Sequence, residues 1–222
     1  TPEHIVEAAV EAARQGYTKY TPSAGLLSLR EAIVEKLERS NGIKASVPNI
    51  NVTPGSTSGM TTAIFVLVDA GEEILIPDPG WPDYQMSVLT AGAIPRGYPL
   101  HEQQGFLPDL QELEKMITER TKLIIVNSPS NPTGAVFPQE LVRGLVELAS
   151  KHELYLLSDE VYERFVFESE HVSAATFDPD GRVVSLFGFS KTYAMTGWRV
   201  GYIVASPAIS SVITKLQENF VS

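Results

Sequence analysis

The stretch that decides the fold reads LYLLSDEVY and runs from Leu154 to Tyr162. Its first four residues are apolar at every position, and the residues that follow turn polar with Ser158 and Asp159. A run of this kind is typical of a strand covered on both faces, as in a parallel sheet packed between two layers of helices. Since ligands bind beyond the carboxyl ends of such strands, Asp159 is a candidate functional residue.

Other short apolar runs repeat this pattern over residues 50–53, 73–76, 122–126, 183–187 and 200–204. Between them, apolar residues recur at helical spacing, for example at positions 26, 29, 33 and 37, at 110, 113 and 117, and at 141, 145 and 148. Alternating strands and helices predict one α/β domain, built as three layers, α/β/α, with a mostly parallel sheet.

Composition excludes several classes of protein. The 222 residues are 43% hydrophobic and 20% charged, which suffices for a buried core. A formal net charge of −10 disfavours binding to nucleic acid or to an anionic membrane. The chain has no cysteine, which excludes disulfides, a thiol nucleophile and a cysteine-ligated metal. Its four histidines are scattered, and we predict that they bind no metal.

We expect a soluble, cytoplasmic protein, because the sequence shows neither a leader nor an apolar stretch of the roughly 20 residues that a membrane span needs. The chain starts with Thr1 rather than Met, and a helical pattern continues to Val221 and Ser222 without a stop signal. This pattern indicates a chain that is cut at both ends.

Two more apolar runs lead into polar groups. The run over 122–126 is followed by Asn127 and then by Asn131 in the sequence NPTG, and the run over 183–187 is followed by Ser190 and Lys191. We therefore expect amide, carboxylate, phenol and amine groups to converge on one edge of the sheet.

A third junction, Gly55-Ser56-Thr57, follows the run over 50–53 and precedes a helical pattern. Small residues before a helix start can form a cup for phosphate, although a plain strand-to-helix turn would look the same. A nucleotide-binding P-loop is excluded because Ser190, not glycine, precedes Lys191. A hydrolase-type nucleophile elbow is disfavoured because Thr57 stands where serine is required.

Lys191 is the most informative amine. Its position after a buried strand predicts that the ammonium lies over the sheet edge, partly desolvated. Arg199 follows eight residues later in the sequence TGWR, close enough to reach the same edge, and a guanidinium suits phosphate.

Taken in this order, NPTG, SDEVY, Ser190-Lys191 and TGWR resemble the motifs of the class I aminotransferases, the aspartate aminotransferase family. The resemblance extends from about Tyr20 to Val204. It implies that the cofactor is pyridoxal 5′-phosphate, that Lys191 forms a Schiff base with it and shuttles the proton, and that Asp159 pairs with the pyridine nitrogen.

The resemblance implies roles for the remaining candidates as well. Asn131 and Tyr162 would donate to the phenolate oxygen of the cofactor, while Trp81 stacks on one face of its ring and Val161 presses on the other. The phosphate ligands would be Gly55, Ser56, Thr57, Ser190 and Arg199. One departure is Gly188, which stands where many members of the family carry a hydroxyl residue that binds phosphate.

Tyr20 resembles the tyrosine that these enzymes extend into the phosphate site of the neighbouring subunit, which implies a homodimer. Residues 1–222 would then be the cofactor-binding large domain, without the N-terminal arm and the C-terminal small domain that supplies the arginine for the substrate α-carboxylate. By itself, such a chain would hold cofactor without turnover.

The implied function is an amino acid:2-oxo acid aminotransferase, aspartate-type by default. Two alternatives stay open from the sequence. One is a β-lyase or synthase of the same fold, because the cofactor does similar chemistry in all of them. The other is a non-catalytic module that binds the cofactor and senses an amino acid.

Overall fold

A computed structural model of the chain describes residues 1–220. The helical pattern expected at Val221 and Ser222 lies outside the described residues. The helices are α1 (Glu3–Arg14), α2 (Leu27–Asn41), α3 (Ser56–Leu67), α4 (Pro82–Thr90), α5 (Leu110–Met116), α6 (Gln139–Lys151), α7 (Phe189–Thr192) and α8 (Pro207–Phe220). The strands are β1 (Ile50–Thr53), β2 (Glu73–Asp78), β3 (Ile94–Pro99), β4 (Thr121–Asn127), β5 (Tyr155–Asp159), β6 (Val183–Gly188) and β7 (Gly201–Val204).

The strands form one seven-stranded sheet in the order β1-β7-β6-β5-β4-β2-β3. Strands β3, β2, β4, β5 and β6 pair in parallel, and β7 pairs antiparallel with both β6 and β1. The predicted three-layer α/β/α fold with a mostly parallel sheet is therefore confirmed.

The alternation of side chains along the strands explains why the predicted runs are apolar at every position. In β4, Leu123 and Ile125 face the core cluster formed with α3, α4 and α8, whereas Ile124 and Val126 face the cluster formed with α5 and α6. Successive residues of a strand point to opposite faces, so a strand covered by helices on both sides needs apolar residues throughout. A third cluster packs α2 against β1, β6 and β7.

Two features of the sheet were not predicted. The edge strand β3 carries the sequence IPRGYP, in which two prolines and half-exposed positions hide the strand signal. The antiparallel direction of β7 was also missed, because apolar periodicity is the same for both directions.

No helix within residues 1–220 is long and apolar enough to cross a membrane. In the same part of the chain, no group of three or more His, Cys, Asp or Glu side chains could hold a metal ion.

Candidate active site

A cavity opens where the carboxyl ends of β4, β5 and β6 meet the start of α3. Nine of the eleven residues predicted from the sequence line it, namely Ser56, Thr57, Trp81, Asn131, Asp159, Tyr162, Ser190, Lys191 and Arg199. Val161 and Gly188 line it as well. Residues from distant parts of the chain converge here because neighbouring parallel strands end at the same edge of the sheet.

Asp159 is the last residue of β5 and is buried. Its Oδ2 accepts a hydrogen bond from the hydroxyl of Tyr84 at 2.8 Å, and its Oδ1 accepts one from the backbone N–H of Val161 at 3.2 Å. Burial raises the pKa of Asp159 to about 6, although both hydrogen bonds act to lower it, and the neighbouring Glu160 adds to the rise. The cavity is therefore lined by a buried carboxyl group that can gain or lose a proton near pH 6.

Tyr84 was missed by the sequence analysis, although it lines the cavity and is almost fully buried. Its ring meets the Trp81 ring edge-on, with 5.6 Å between the ring centroids. Burial, together with the charge of Asp159 and the hydrogen bond to it, holds the pKa of Tyr84 well above its usual value, so the phenol stays a donor. The signal that could have found it is its place three residues after Trp81, one turn into α4.

Lys191 lies on the one-turn helix α7 and is exposed at the open side of the cavity. Its Nζ is 5.5 Å from the centroid of the Tyr162 ring, within the range of a cation–π contact. The sequence predicted that this amine is partly desolvated. In residues 1–220 that prediction is wrong, because Lys191 on α7 is exposed and its side chain contacts solvent.

The cationic end of the cavity is built from Arg199 and the start of α3. Gly55, which precedes α3, has a φ of +84°, and a Cβ added there would lie 2.4 Å from Nη2 of Arg199. Only glycine lets the guanidinium come this close to the helix N-terminus. Arg199 itself has a φ of 52°, in the left-handed region, and its Nη1 donates to the carbonyl of Thr196 at 2.9 Å.

Gly188, the departure from the family pattern, borders Ser56 and Val161 in the cavity lining. A Cβ at position 188 would lie 3.6 Å from Oγ of Ser56 and 3.6 Å from Cγ1 of Val161. The Ser56 hydroxyl thus borders the place that a larger residue at 188 would occupy.

Two predicted residues lie beside the cavity rather than in its lining. Gly55 is buried behind the guanidinium of Arg199. Tyr20 is 93% exposed and lines a neighbouring pocket, which shares Arg199 with the main cavity.

The histidines do not line the cavity in the described part of the chain. His4 and His101 are exposed, whereas Nε2 of His152 lies 2.8 Å from Glu114 and Nε2 of His171 lies 2.8 Å from the buried Glu160. They occupy surface and packing positions.

The residues of the cavity fit pyridoxal 5′-phosphate. A glycine that admits a guanidinium beside a helix N-terminus suits a phosphate group. A buried carboxylate suits a protonated ring nitrogen, and a lysine amine at the open side suits an aldehyde. A mostly parallel sheet thus carries an amine, a carboxylate and a guanidinium around one cavity at its carboxyl edge.

The chain belongs to the aminotransferase class I and II family, whose sequence model matches residues 1–222. It is 41% identical over 217 residues to an aspartate aminotransferase of Pyrococcus horikoshii, covering 97% of this chain and 55% of that protein. It is 40% identical over 220 residues to aromatic-amino-acid aminotransferase 2 of Thermococcus litoralis, covering 98% of this chain and 57% of that protein.

The fold is similar to solved structures as well. The aspartate aminotransferase of Thermus thermophilus with maleate superimposes with a TM-score of 0.96 at 38% identity, over 99% of this chain and 57% of that one. The chain therefore spans a little more than half the length of the relatives it matches.

Proposed function

We propose that residues 1–222 are the pyridoxal-phosphate-binding large domain of an amino acid:2-oxo acid aminotransferase. The observation that carries this proposal is that Lys191 and Asp159 line one cavity whose cationic end is formed by Arg199 and the start of α3. An amine, a carboxylate and a phosphate site in one cavity are the three contacts that this cofactor needs.

When bound, the cofactor supplies the electron sink that makes the Cα–H bond of an amino acid acidic. Asp159 would hold a proton at the ring nitrogen, and its burial strengthens that ionic contact because water does not screen it. Lys191 would be the amine to which the cofactor attaches, and afterwards the base that moves the proton from the substrate Cα.

Four further side chains would orient the ring. Asn131 and Tyr162 would donate hydrogen bonds to its phenolate oxygen, while Trp81 and Val161 would hold its two faces. All four line the cavity, and the Trp81 ring is supported by the edge of Tyr84.

The phosphate would be held at the start of α3 by Ser56 and Thr57, with Ser190 and Arg199 from the other side. Gly55 would contribute by leaving room for the guanidinium. The N-terminus of a twelve-residue helix and a guanidinium both favour a doubly charged anion.

The substrates would be an amino acid and a 2-oxo acid, with aspartate as the default donor. Two of the relatives carry the names aspartate aminotransferase and aromatic-amino-acid aminotransferase, which supports transamination over a lyase reaction. The working unit would be a cytoplasmic homodimer in which the exposed Tyr20 reaches the phosphate site of the neighbouring subunit. The contact of Tyr20 with solvent over 93% of its surface leaves it available for this.

The test is cofactor attachment at Lys191. We expect the protein with added pyridoxal 5′-phosphate to absorb visible light and to retain the cofactor after borohydride reduction, with the added mass on the peptide that contains Lys191. Lys191→Ala should lose both properties. Lys115→Ala is the matched control, since Lys115 is also exposed but lies on α5, outside the cavity lining.

A wild-type protein that retains no visible absorption once the unbound cofactor has been removed would refute the proposal. So would an adduct that forms equally well in Lys191→Ala and in the wild type.

A further inference from the structure

Asn127 is a buried amide that the proposed cofactor contacts leave without a role. It is the last residue of β4, is 3% exposed, and lies between two residues proposed to hold the cofactor, Asn131 and Asp159. All three line the cavity.

Both polar atoms of the Asn127 side-chain amide form hydrogen bonds. Its Oδ1 accepts a hydrogen bond from the backbone N–H of Asn131 at 2.7 Å, and its Nδ2 donates to the backbone carbonyl of Asp159 at 3.0 Å. The partners settle the orientation of the amide, since the N–H of Asn131 can only donate and the carbonyl of Asp159 can only accept.

The two bonds join a loop to the sheet. Asn127 and Asp159 are direct partners in the parallel pairing of β4 with β5. Asn131 lies in the loop after β4, which is closed on itself by a bond from the N–H of Ser130 to the carbonyl of Ala135 at 2.9 Å. Asn127 therefore connects this closed loop to the end of β5.

Few other side chains could make this connection. Leucine has a similar volume but no polar atom, so it would leave the N–H of Asn131 without this partner. Aspartate keeps the acceptor for that N–H, but when ionised it turns an oxygen toward the carbonyl of Asp159. Two acceptors then face each other, and that carbonyl keeps only the bond from the N–H of Ser128 at 3.3 Å. Losing a partner inside the fold is costly, because a buried polar group regains no bond to water.

We propose that Asn127 is a positioning residue that sets the place of Asn131 relative to Asp159 across the cavity. The inference rests on the proposed function, since that function assigns Asn131 to the phenolate oxygen and Asp159 to the ring nitrogen of the same cofactor. Asn127 acts through its two neighbours and need not touch the cofactor itself.

The matched control is Asn51, a second buried asparagine. It is fully buried, and its Nδ2 donates to Oγ1 of Thr214 at 2.6 Å, which joins β1 to α8 away from the cavity lining. Asn127→Leu and Asn51→Leu should both lower the melting temperature, because each loses buried hydrogen bonds.

The decisive readouts are the affinity for pyridoxal 5′-phosphate and the visible absorption of the bound cofactor. We expect Asn127→Leu to shift the absorption maximum and to weaken cofactor binding about tenfold, which corresponds to the loss of about 1.4 kcal/mol of binding free energy. Asn51→Leu should leave both unchanged. Asn127→Asp, the smaller change, should show the same spectral shift, which keeps the test informative if Asn127→Leu does not fold.

The outcomes separate this inference from the proposed function. A wild-type protein that binds no pyridoxal 5′-phosphate would overturn the proposed function. A wild type that binds it, beside folded Asn127 variants whose absorption and affinity match those of Asn51→Leu, would overturn the role of Asn127 alone.

Discussion

Replacing Tyr84 with phenylalanine removes the hydroxyl that donates to Oδ2 of Asp159 at 2.8 Å and leaves the ring in place. Burial already raises the pKa of Asp159 to about 6, although the bond from Tyr84 opposes that rise. Without the hydrogen bond from Tyr84, the ionised form of Asp159 loses more stabilisation than its neutral form does. We therefore expect the pKa of Asp159 to rise further in Tyr84→Phe.

The size of the effect follows from the difference between two kinds of hydrogen bond. A bond to an ionised group contributes about 1.5–3 kcal/mol, and a neutral bond about 1 kcal/mol. The difference is about 0.5–2 kcal/mol, and its middle value of about 1.3 kcal/mol corresponds to about one pH unit, which moves the pKa of Asp159 from about 6 to about 7.

The sign of the stability change follows from the raised pKa. Because the pKa of Asp159 is higher in the folded protein than its ordinary value of 3.8, the folded state binds the proton more tightly. The resulting stabilisation is complete below about pH 4 and is lost as the pH rises through about 6, by about 3 kcal/mol in total. In Tyr84→Phe the stability continues to fall until about pH 7, because the pKa of Asp159 is expected to be about one unit higher there.

The assay is urea unfolding of the cofactor-free protein at pH 5 and at pH 8.5, with a direct titration of the Asp159 carboxyl carbon by NMR. Tyr84→Phe should destabilise the protein by about 1 kcal/mol at pH 5 and by about 2–2.5 kcal/mol at pH 8.5. Glu160, Tyr162 and Lys191 also face this region, but the substitution leaves them unchanged.

Tyr98→Phe is the control. Tyr98 is equally buried, and its hydroxyl donates to the carbonyl of Ile125 at 2.9 Å, a neutral partner. Its loss should cost about 1 kcal/mol at both pH values. If Tyr84→Phe shows the same pH-independent cost as Tyr98→Phe, and the titration of Asp159 does not move, then the reasoning is refuted.

Two further predictions concern the phosphate end and the far side of the sheet. Gly55→Ala places a methyl group 2.4 Å from Nη2 of Arg199, which must displace the guanidinium. We therefore expect weaker binding of pyridoxal 5′-phosphate, measured by fluorescence titration. An unchanged affinity would show that the guanidinium does not hold the phosphate. Glu73 is buried, which favours its neutral form. Hydrogen bonds from Arg96 and Thr118, together with the charges of Arg96 and Arg120, nevertheless hold its pKa below the usual value, so its stabilisation is present at neutral pH and lost on acidification. Glu73→Gln should destabilise the protein at pH 7 in urea unfolding by about 1.5–3 kcal/mol, the range for hydrogen bonds to a charged group, and by less as the pH is lowered. A cost that does not fall on acidification would contradict this.

Much of the site could be predicted because its residues follow strands directly. Asp159 is the last residue of β5, and Lys191 lies three residues after the end of β6. Each can therefore be found from the apolar run that precedes it in the sequence. Their roles toward a cofactor stay predictions. Tyr84 carries no such mark, because its partner is 75 positions away in the sequence and the hydrogen bond exists only when α4 packs against the sheet.

The sequence by itself determined the layers of the fold, since apolar runs and helical spacing depend only on residues close together in the chain. It also determined which chemical groups stand at the ends of the strands. The tertiary structure decided the order and direction of the strands, the exposure of Lys191, and the pairing of Tyr84 with Asp159 and of Asn127 with Asn131. Three of these features depend on which distant segments pack together: the pairing of Tyr84 with Asp159, the strand order and the exposure of Lys191. The hydrogen bond between Asn127 and Asn131 depends instead on the path of the loop after β4. None of them can be predicted from the local spacing of apolar residues.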